Sequence, residues 1–343
     1  MNAVSLTSGF FEDEFFPFSL TRPVSDFRCG ILTIREKWDL LVKEISSPLK
    51  TDAIPGNILP DKNLIEKLQT QKIGDCLDNV RSLNKLTDIL FFNAAEIRAD
   101  YQLITKGRKS ESISNTNKIS GSDIFLEAGA QIEHCIINAH DGPVYIGKDT
   151  LVMEGTLIRG PFAIGANSVI KMGTKIYGAT SAGPKCVLGG EIKNSVIFGF
   201  SNKAHDGYLG DSIIGSWCNL GAGTSNSNIK NSGGPVKLWN PLKKTYLDAG
   251  IKCGLMMGDY SRSAINTSFN TGTVVGVSCH VFGNGLTPAY LPSFSWGYPS
   301  GKEYGIEKAI EHIRFWMKLK DETISQNEID QLKYIFEQKK QLE

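Results

Sequence analysis

Between residues 190 and 228 the chain gathers side chains equipped for proton transfer. The run holds Glu191 and Lys193, then Ser201-Asn202-Lys203-Ala204-His205-Asp206-Gly207-Tyr208-Leu209-Gly210-Asp211. Asn219-Leu220-Gly221-Ala222-Gly223-Thr224 and Asn228 follow. An imidazole takes and returns a proton near neutral pH more readily than any other side chain, which makes His205 the candidate general base. Lysines, a tyrosine and asparagines in one run can hold an anionic substrate or donate to negative charge as it develops. The bland readings stay open. His205 could be a packed structural histidine, Lys193 a solvated lysine, and Gly221 and Gly223 are turn corners first. Ala139-His140-Asp141-Gly142 repeats the Ala-His-Asp-Gly of residues 204–207, but only His205 is followed by Tyr-Leu-Gly-Asp and Gly-Ala-Gly-Thr. His134, His280 and His312 lack that context.

The element that must position these groups is written in a six-residue period. Ile146, Val152, Ile158, Ile164, Ile170, Ile176, Ala182 and Leu188 follow one another at that spacing, with Ile124, Ala130 and Ile136 starting the series. It returns at Ile214 and Leu220, and again at Ile251, Met257, Ser263, Phe269, Val275 and Val281. A period of six fits neither an amphipathic helix nor an alternating strand. It fits the hexapeptide β-helix, in which each hexad supplies a short strand and a turn and three hexads close a triangular coil. The 35 glycines suit its sharp corners. The register lapses between about 190 and 250, and chemistry tends to sit where a regular scaffold is interrupted.

The same run resembles the acetyltransferase half of the GlmU family, bifunctional enzymes that make UDP-N-acetylglucosamine. That family carries His-x-x-Tyr-Leu-Gly-Asp, then Asn-Ile-Gly-Ala-Gly-Thr and an Asn, matched by His205, Tyr208 to Asp211, Asn219, Gly221 to Thr224 and Asn228. Its upstream Glu-x-Lys matches Glu191 and Lys193. The matched block covers about residues 175–228. The resemblance implies a left-handed parallel β-helix and transfer of an acyl, expected to be acetyl, group from acetyl-CoA to an amino-sugar phosphate or nucleotide sugar. It implies His205 as base and Glu191 as the group that orients it. Lys175, Lys193 and Tyr208 would hold a sugar phosphate, and Asn219 the sugar. Ala222 and Asn228 would face the coenzyme, with Asp259 and Val277 as later coenzyme contacts by hexad counting. The chain departs from the pattern at Lys175, where the family has arginine, at Asp259, where it has a small hydroxyl residue, and in an insertion from Lys230 to Asp248. That insertion would lie beside the site. Family members are trimers with sites between subunits, so a homotrimer is expected.

Residues 1–120 read as a small α/β domain, 121–287 as the β-helix and 288–343 as an irregular segment followed by helices. The first segment has a strand-like Ala3 to Leu6, Phe10-Phe11, Thr21-Arg22-Pro23 and a helix around Ile31 to Val42. It resembles the reduced nucleotidyltransferase-like domain attached to a β-helix in some bacterial homologues, without the Gly-rich phosphate cradle of active members. A vestigial, capping or regulatory role is expected. Arg22 and Arg28 are its candidate phosphate ligands, and Mg would be needed only if this domain were active. At the other end a helix is expected over Tyr304 to Lys320, and a second near Ser325, whose spacing to Glu328 is a capping box.

Lys+Arg (37) and Asp+Glu (36) nearly cancel, which leaves no basic footprint for nucleic acid or an anionic membrane. No apolar run approaches the roughly 18–20 residues of a membrane span. The seven cysteines never form CxxC, so a disulfide framework or zinc site is not expected and a reducing cytoplasm fits. The reading is therefore a mainly β, cytoplasmic, hexapeptide-repeat acyltransferase. Its alternatives are a sugar-phosphate nucleotidyltransferase whose β-helix only trimerises the chain, and a non-catalytic binding β-helix.

Overall fold

The computed structural model describes residues 4–9, 12–45, 49–50, 53–299 and 301–342. Ala3 and Phe10-Phe11 lie outside them. Short parallel strands stack into three sheets, one per face of a prism, as expected for a left-handed parallel β-helix. The first face has nine strands, from Ile124–Leu126 to Tyr290–Leu291. The second has ten, from Gln131–Ile132 to Lys302–Glu303, and the third has six, from Lys118–Ser120 to Tyr208–Gly210. The ladders run past residue 287 because Tyr290–Leu291 and Ser295–Trp296, on either side of Pro292, still close a last coil.

The six-residue series is the inward side of this prism. On the second face Ile132, Val152, Ile170 and Leu188 pair one above another, and on the third Ile158, Ile176, Ile192 and Leu209 do so. Two members of the series point outward instead. The inward residues of the first coil are Leu126, Ile132 and Ile137, while Ile136 points out to solvent. Ile251 is exposed at the base of the insertion. A single residue added or dropped at a corner turns a whole strand over, so counting fails where corner lengths change.

The first face is apolar on both sides of its strands, as in Phe162-Ala163-Ile164, all buried, and such a sheet needs a cover. The N-terminal segment supplies it. It holds a two-stranded parallel pair, Leu6–Thr7 with Ile54–Pro55, and helices α1 (Ile34–Lys43), α2 (Lys62–Leu68) and α3 (Asp88–Thr105). Helix α1 starts later than the sequence suggests because Thr33 and Glu36 form a capping box. Phe15, Phe18, Phe27 and Trp38 share one core with Val196, Phe198, Ile213 and Met256 of the prism. From α3, Asn93 donates to the Ala179 carbonyl at 2.8 Å and accepts from the Ser181 hydroxyl at 3.0 Å. The segment thus lies along a side of the prism instead of plugging its end.

Within the segment, Lys37 is buried with its ammonium 2.7 Å from Glu96 and 2.6 Å from Asp100. Asp100 also accepts from the Ile31 and Leu32 N–H groups, tying the turn before α1 to α3. The expected C-terminal helices are α4 (Ile306–Lys318) and α5 (Gln326–Leu342), the second capped by Ser325 and Glu328. They pack with Trp217, Tyr260, Val277 and Phe294. The insertion is a hairpin, Lys237–Asn240 with Thr245–Asp248, that clasps the N-terminal segment: Asn240 donates to the Asp13 carbonyl and Lys243 pairs with Glu14. Its base, at Ala249, Gly250 and Lys252, lines a cavity with Asn194 and Asp211.

Candidate active site

The third face arrays four of the expected residues in two outward rows. Strands Lys175–Tyr177, Glu191–Lys193 and Tyr208–Gly210 pair in parallel, so Lys175, Glu191 and Tyr208 form one row and Tyr177, Lys193 and Gly210 the next. Their central residues Ile176, Ile192 and Leu209 point inward and fix the orientation. Tyr177 donates its hydroxyl to Glu191 at 2.5 Å, and that bond pushes the Tyr177 phenol up to about 12. The Lys193 ammonium stands 5.9 Å above the Tyr177 ring. Among the described residues neither Lys193 nor the exposed Lys175 forms an ion pair.

Tyr208 folds back over Gly210, where an added Cβ would lie 2.1 Å from its hydroxyl oxygen. That oxygen accepts from the Asn228 amide at 3.1 Å. The same amide, with Asn194, also donates to the buried carboxylate of Asp211. Burial and then the Asp211 charge push the Tyr208 phenol up to about 12. A cavity of about 510 Å³, lined in part by Asn194, Asp211, Lys85, Phe91 and Lys252, opens at this end of the face.

His205 occupies the corner between the second and third faces, exposed, just before the strand of Tyr208. Its turn is seated on glycines. A Cβ on Gly189 would meet the Ala204 carbonyl oxygen at 2.3 Å, and one on Gly190 the His205 carbonyl oxygen at 2.7 Å. The Gly221–Thr224 corner stacks directly above, through Gly223 N–H to the Asp206 carbonyl at 3.0 Å. Ala222 and His205 therefore share one edge of the prism. Among the described residues the imidazole and the Glu191 carboxylate form no hydrogen bond with each other.

The remaining expected residues fall elsewhere. Asn219 is on the second face, beside Asn202 at 3.3 Å and in register with Arg262. Asp259 and Val277 stack at the corner between the first and second faces, one edge away from Ala222. Asp259 is 1 % exposed and fully engaged: it takes Arg22, the Thr21 hydroxyl at 2.8 Å and the Ser216 N–H at 2.8 Å. Val277 is buried under α4 and α5. Neither faces the His205 edge. Arg22 is spent on Asp259, and Arg28 donates to the Ile31 carbonyl, so neither arginine is presented to a phosphate. His140 occupies the corner between the third and first faces, a different edge from His205 despite the shared tetrapeptide.

Two residues of the site escaped the sequence reading. Tyr177 is paired to Glu191 only by a coil step shorter than three hexads. Lys203, inside the prism beneath His205, sits where the register could not be counted. A lysine among inward aliphatics was the signal, had the register been known.

The family model for sugar nucleotidyl transferases matches residues 9–78. The chain is 33 % identical over 108 residues to the bifunctional protein GlmU of Methanocaldococcus jannaschii, covering 32 % of this chain and 26 % of the relative. It is 33 % identical over 92 residues to a bifunctional sugar-1-phosphate nucleotidylyltransferase/acetyltransferase of Sulfurisphaera tokodaii, covering 27 % and 23 %. The chain thus spans about a quarter of the length of these relatives. Among solved structures, the UDP-N-acetylglucosamine acyltransferase of Francisella novicida aligns over 67 % of this chain and 86 % of its own at 14 % identity, with a TM-score of 0.36. The chain is similar to the GlmU-type bifunctional transferases over about a third of its length, and it carries a sugar nucleotidyl transferase-like segment at its N-terminal side.

Proposed function

We propose that this chain is an acyl-CoA-dependent acyltransferase, with acetyl as the expected group, acting on the amine of an amino-sugar phosphate or nucleotide sugar. The observation that carries the reading is the meeting of His205 and Ala222 on one exposed edge with the Glu191, Lys193 and Tyr208 face beside it. Unpaired Lys175 and Lys193 suit the anionic part of an acceptor, and the Glu191 carboxylate and the Tyr208 hydroxyl suit its polar ring.

In this reading the acceptor amine attacks the thioester carbonyl while His205 removes its proton. The carbonyl oxygen becomes an oxyanion, for which the Ala222 N–H on the same edge is the candidate donor. Collapse breaks the carbon–sulfur bond, the imidazolium returns its proton to the thiolate, and the products are an amide and free thiol. Glu191, held by Tyr177, assists by attracting the amine. A homotrimer is part of the proposal: Ile136 and Leu157, 50 % and 41 % exposed, lie in one outward row of the third face below Lys175 and suit a partner subunit. With Arg22 and Arg28 engaged internally, nucleotidyl transfer is the weaker reading.

Thiol release from acetyl-CoA, measured against a panel of amino-sugar phosphates and nucleotide amino sugars, tests the proposal. Wild type should turn over at least one acceptor and His205→Ala should lose 10²-fold or more. Equal release by both proteins would overturn it.

A further inference from the structure

The inward row of the second face is aliphatic through four coils, Ile132, Val152, Ile170 and Leu188, and then presents Lys203. Leu220 follows in the next coil. Lys203 is 2 % exposed. Burying an ammonium in hydrocarbon is costly unless a carboxylate or several acceptors surround it, and a packed aliphatic at the same place is usually as stable or more so. Among the described residues Lys203 has no ion-pair partner. The Asp206 carboxylate acts on it through space, without an ion pair.

What the ammonium does touch is the corner. It donates to the Gly189 carbonyl at 3.1 Å and to the His205 carbonyl at 2.5 Å. One cation thereby ties together two successive turns of the same edge, the upper of which carries the candidate base. This happens where the coil is shortest. Ile146, Ile164 and Ala182 follow at 18-residue steps, whereas Ala182 to Ile197 and Leu188 to Lys203 take 15. As at other corners, the turn leaves no room for a Cβ at Gly189 or Gly190. In the next turn the His205 carbonyl is directed toward the Lys203 ammonium. A backbone carbonyl outside the strand ladder needs a donor, and Lys203 supplies one to His205.

We propose that Lys203 is a positioning residue that holds the His205 turn from inside the prism, so that the imidazole projects from the edge in one orientation. This rests on the acyltransferase reading above. The residue touches no reacting atom. Its effect passes through the main chain of His205, which accounts for a charge following four inward aliphatics in that row.

The test is Lys203→Met in the full chain, which keeps the stem and removes the donor. Three measurements are made on it: steady-state kinetics with acetyl-CoA and the best acceptor, thermal melting, and amide hydrogen exchange over residues 203–208. The expected result is a 10- to 100-fold fall in kcat, KM values within twofold of wild type, a melting temperature no lower, and faster exchange confined to the His205 turn. Lys203→Arg, which restores a donor, should recover part of kcat. A kcat unchanged in Lys203→Met would overturn the proposal. So would a kcat loss that merely follows a lowered melting temperature, the mark of a structural role. If wild type itself transfers no acyl group, the functional reading has failed and the exchange measurement decides the clamp alone. Unaltered exchange at the turn would then overturn it.

Discussion

Arg22 of the N-terminal segment and Asp259 of the β-helix form an ion pair across 237 residues of sequence, with the carboxylate buried and the guanidinium mostly so. The Arg22 guanidinium also donates to Ser216 at 3.1 Å and stands 5.2 Å from the centre of the Phe198 ring. This contact helps fasten the covering segment to the first edge of the prism. Removing one partner strands a buried charge, so Arg22→Ala should cost about 3 kcal/mol. Arg22→Ala with Asp259→Ala should cost less than the sum of the two single changes, as a double-mutant cycle in urea will show.

Gly210 matters through Tyr208. A methyl group at 210 would occupy the place of the Tyr208 hydroxyl, and the ring can swing outward at little cost to the fold. Gly210→Ala should therefore melt close to wild type while breaking the Asn228–Tyr208 bond. In the proposed reaction, KM for the acceptor should rise about tenfold and KM for the coenzyme should stay put, equivalent to about 1.4 kcal/mol of acceptor binding.

Burial lowers the Lys203 ammonium from its ordinary 10.5 to about 8. Between those values the unfolded chain binds more protons than the folded one, so this group's contribution to stability rises with pH through the window and is lost as pH falls through about 8. Lys203→Met should consequently be more stable than wild type at pH 7, by about 1–3 kcal/mol. The gap should narrow as pH approaches 10, as urea midpoints measured for both proteins at each pH will report.

Lys37 neutralises two buried carboxylates, Glu96 and Asp100, between α1 and α3. Lys37→Met leaves both facing apolar surroundings, and about 3–5 kcal/mol should be lost. Chemical denaturation should then show the N-terminal segment loosening from the first face, with Trp38 fluorescence shifting to the red before the prism unfolds.

The fold was legible because a triangular coil repeats its demand for an inward aliphatic residue every six positions, and Ile146 to Leu188 meet it without a break. The His205 block was legible because its residue types sit close together in sequence, within a coil or two, so chain distance stands in for distance in space. Ala222, one coil on from His205, shares its edge for that reason. Asp259 and Val277 lie on another edge, because the hairpin and the trimmed corners lie between them and the counted register. A local period has no memory across an insertion.

By itself the sequence determined the prism, the gathering of Glu191, His205 and Tyr208 within two coils, and the helix caps at Thr33 and Ser325, all set by residues close along the chain. Only the tertiary structure decided which face the N-terminal segment covers, that Arg22 is spent on Asp259, and that Lys203 points inward beneath the candidate base. Those outcomes turn on which side of a strand a residue faces and on what packs there from far away in sequence. One residue more or less at a corner reverses the facing, and no local pattern records the packing.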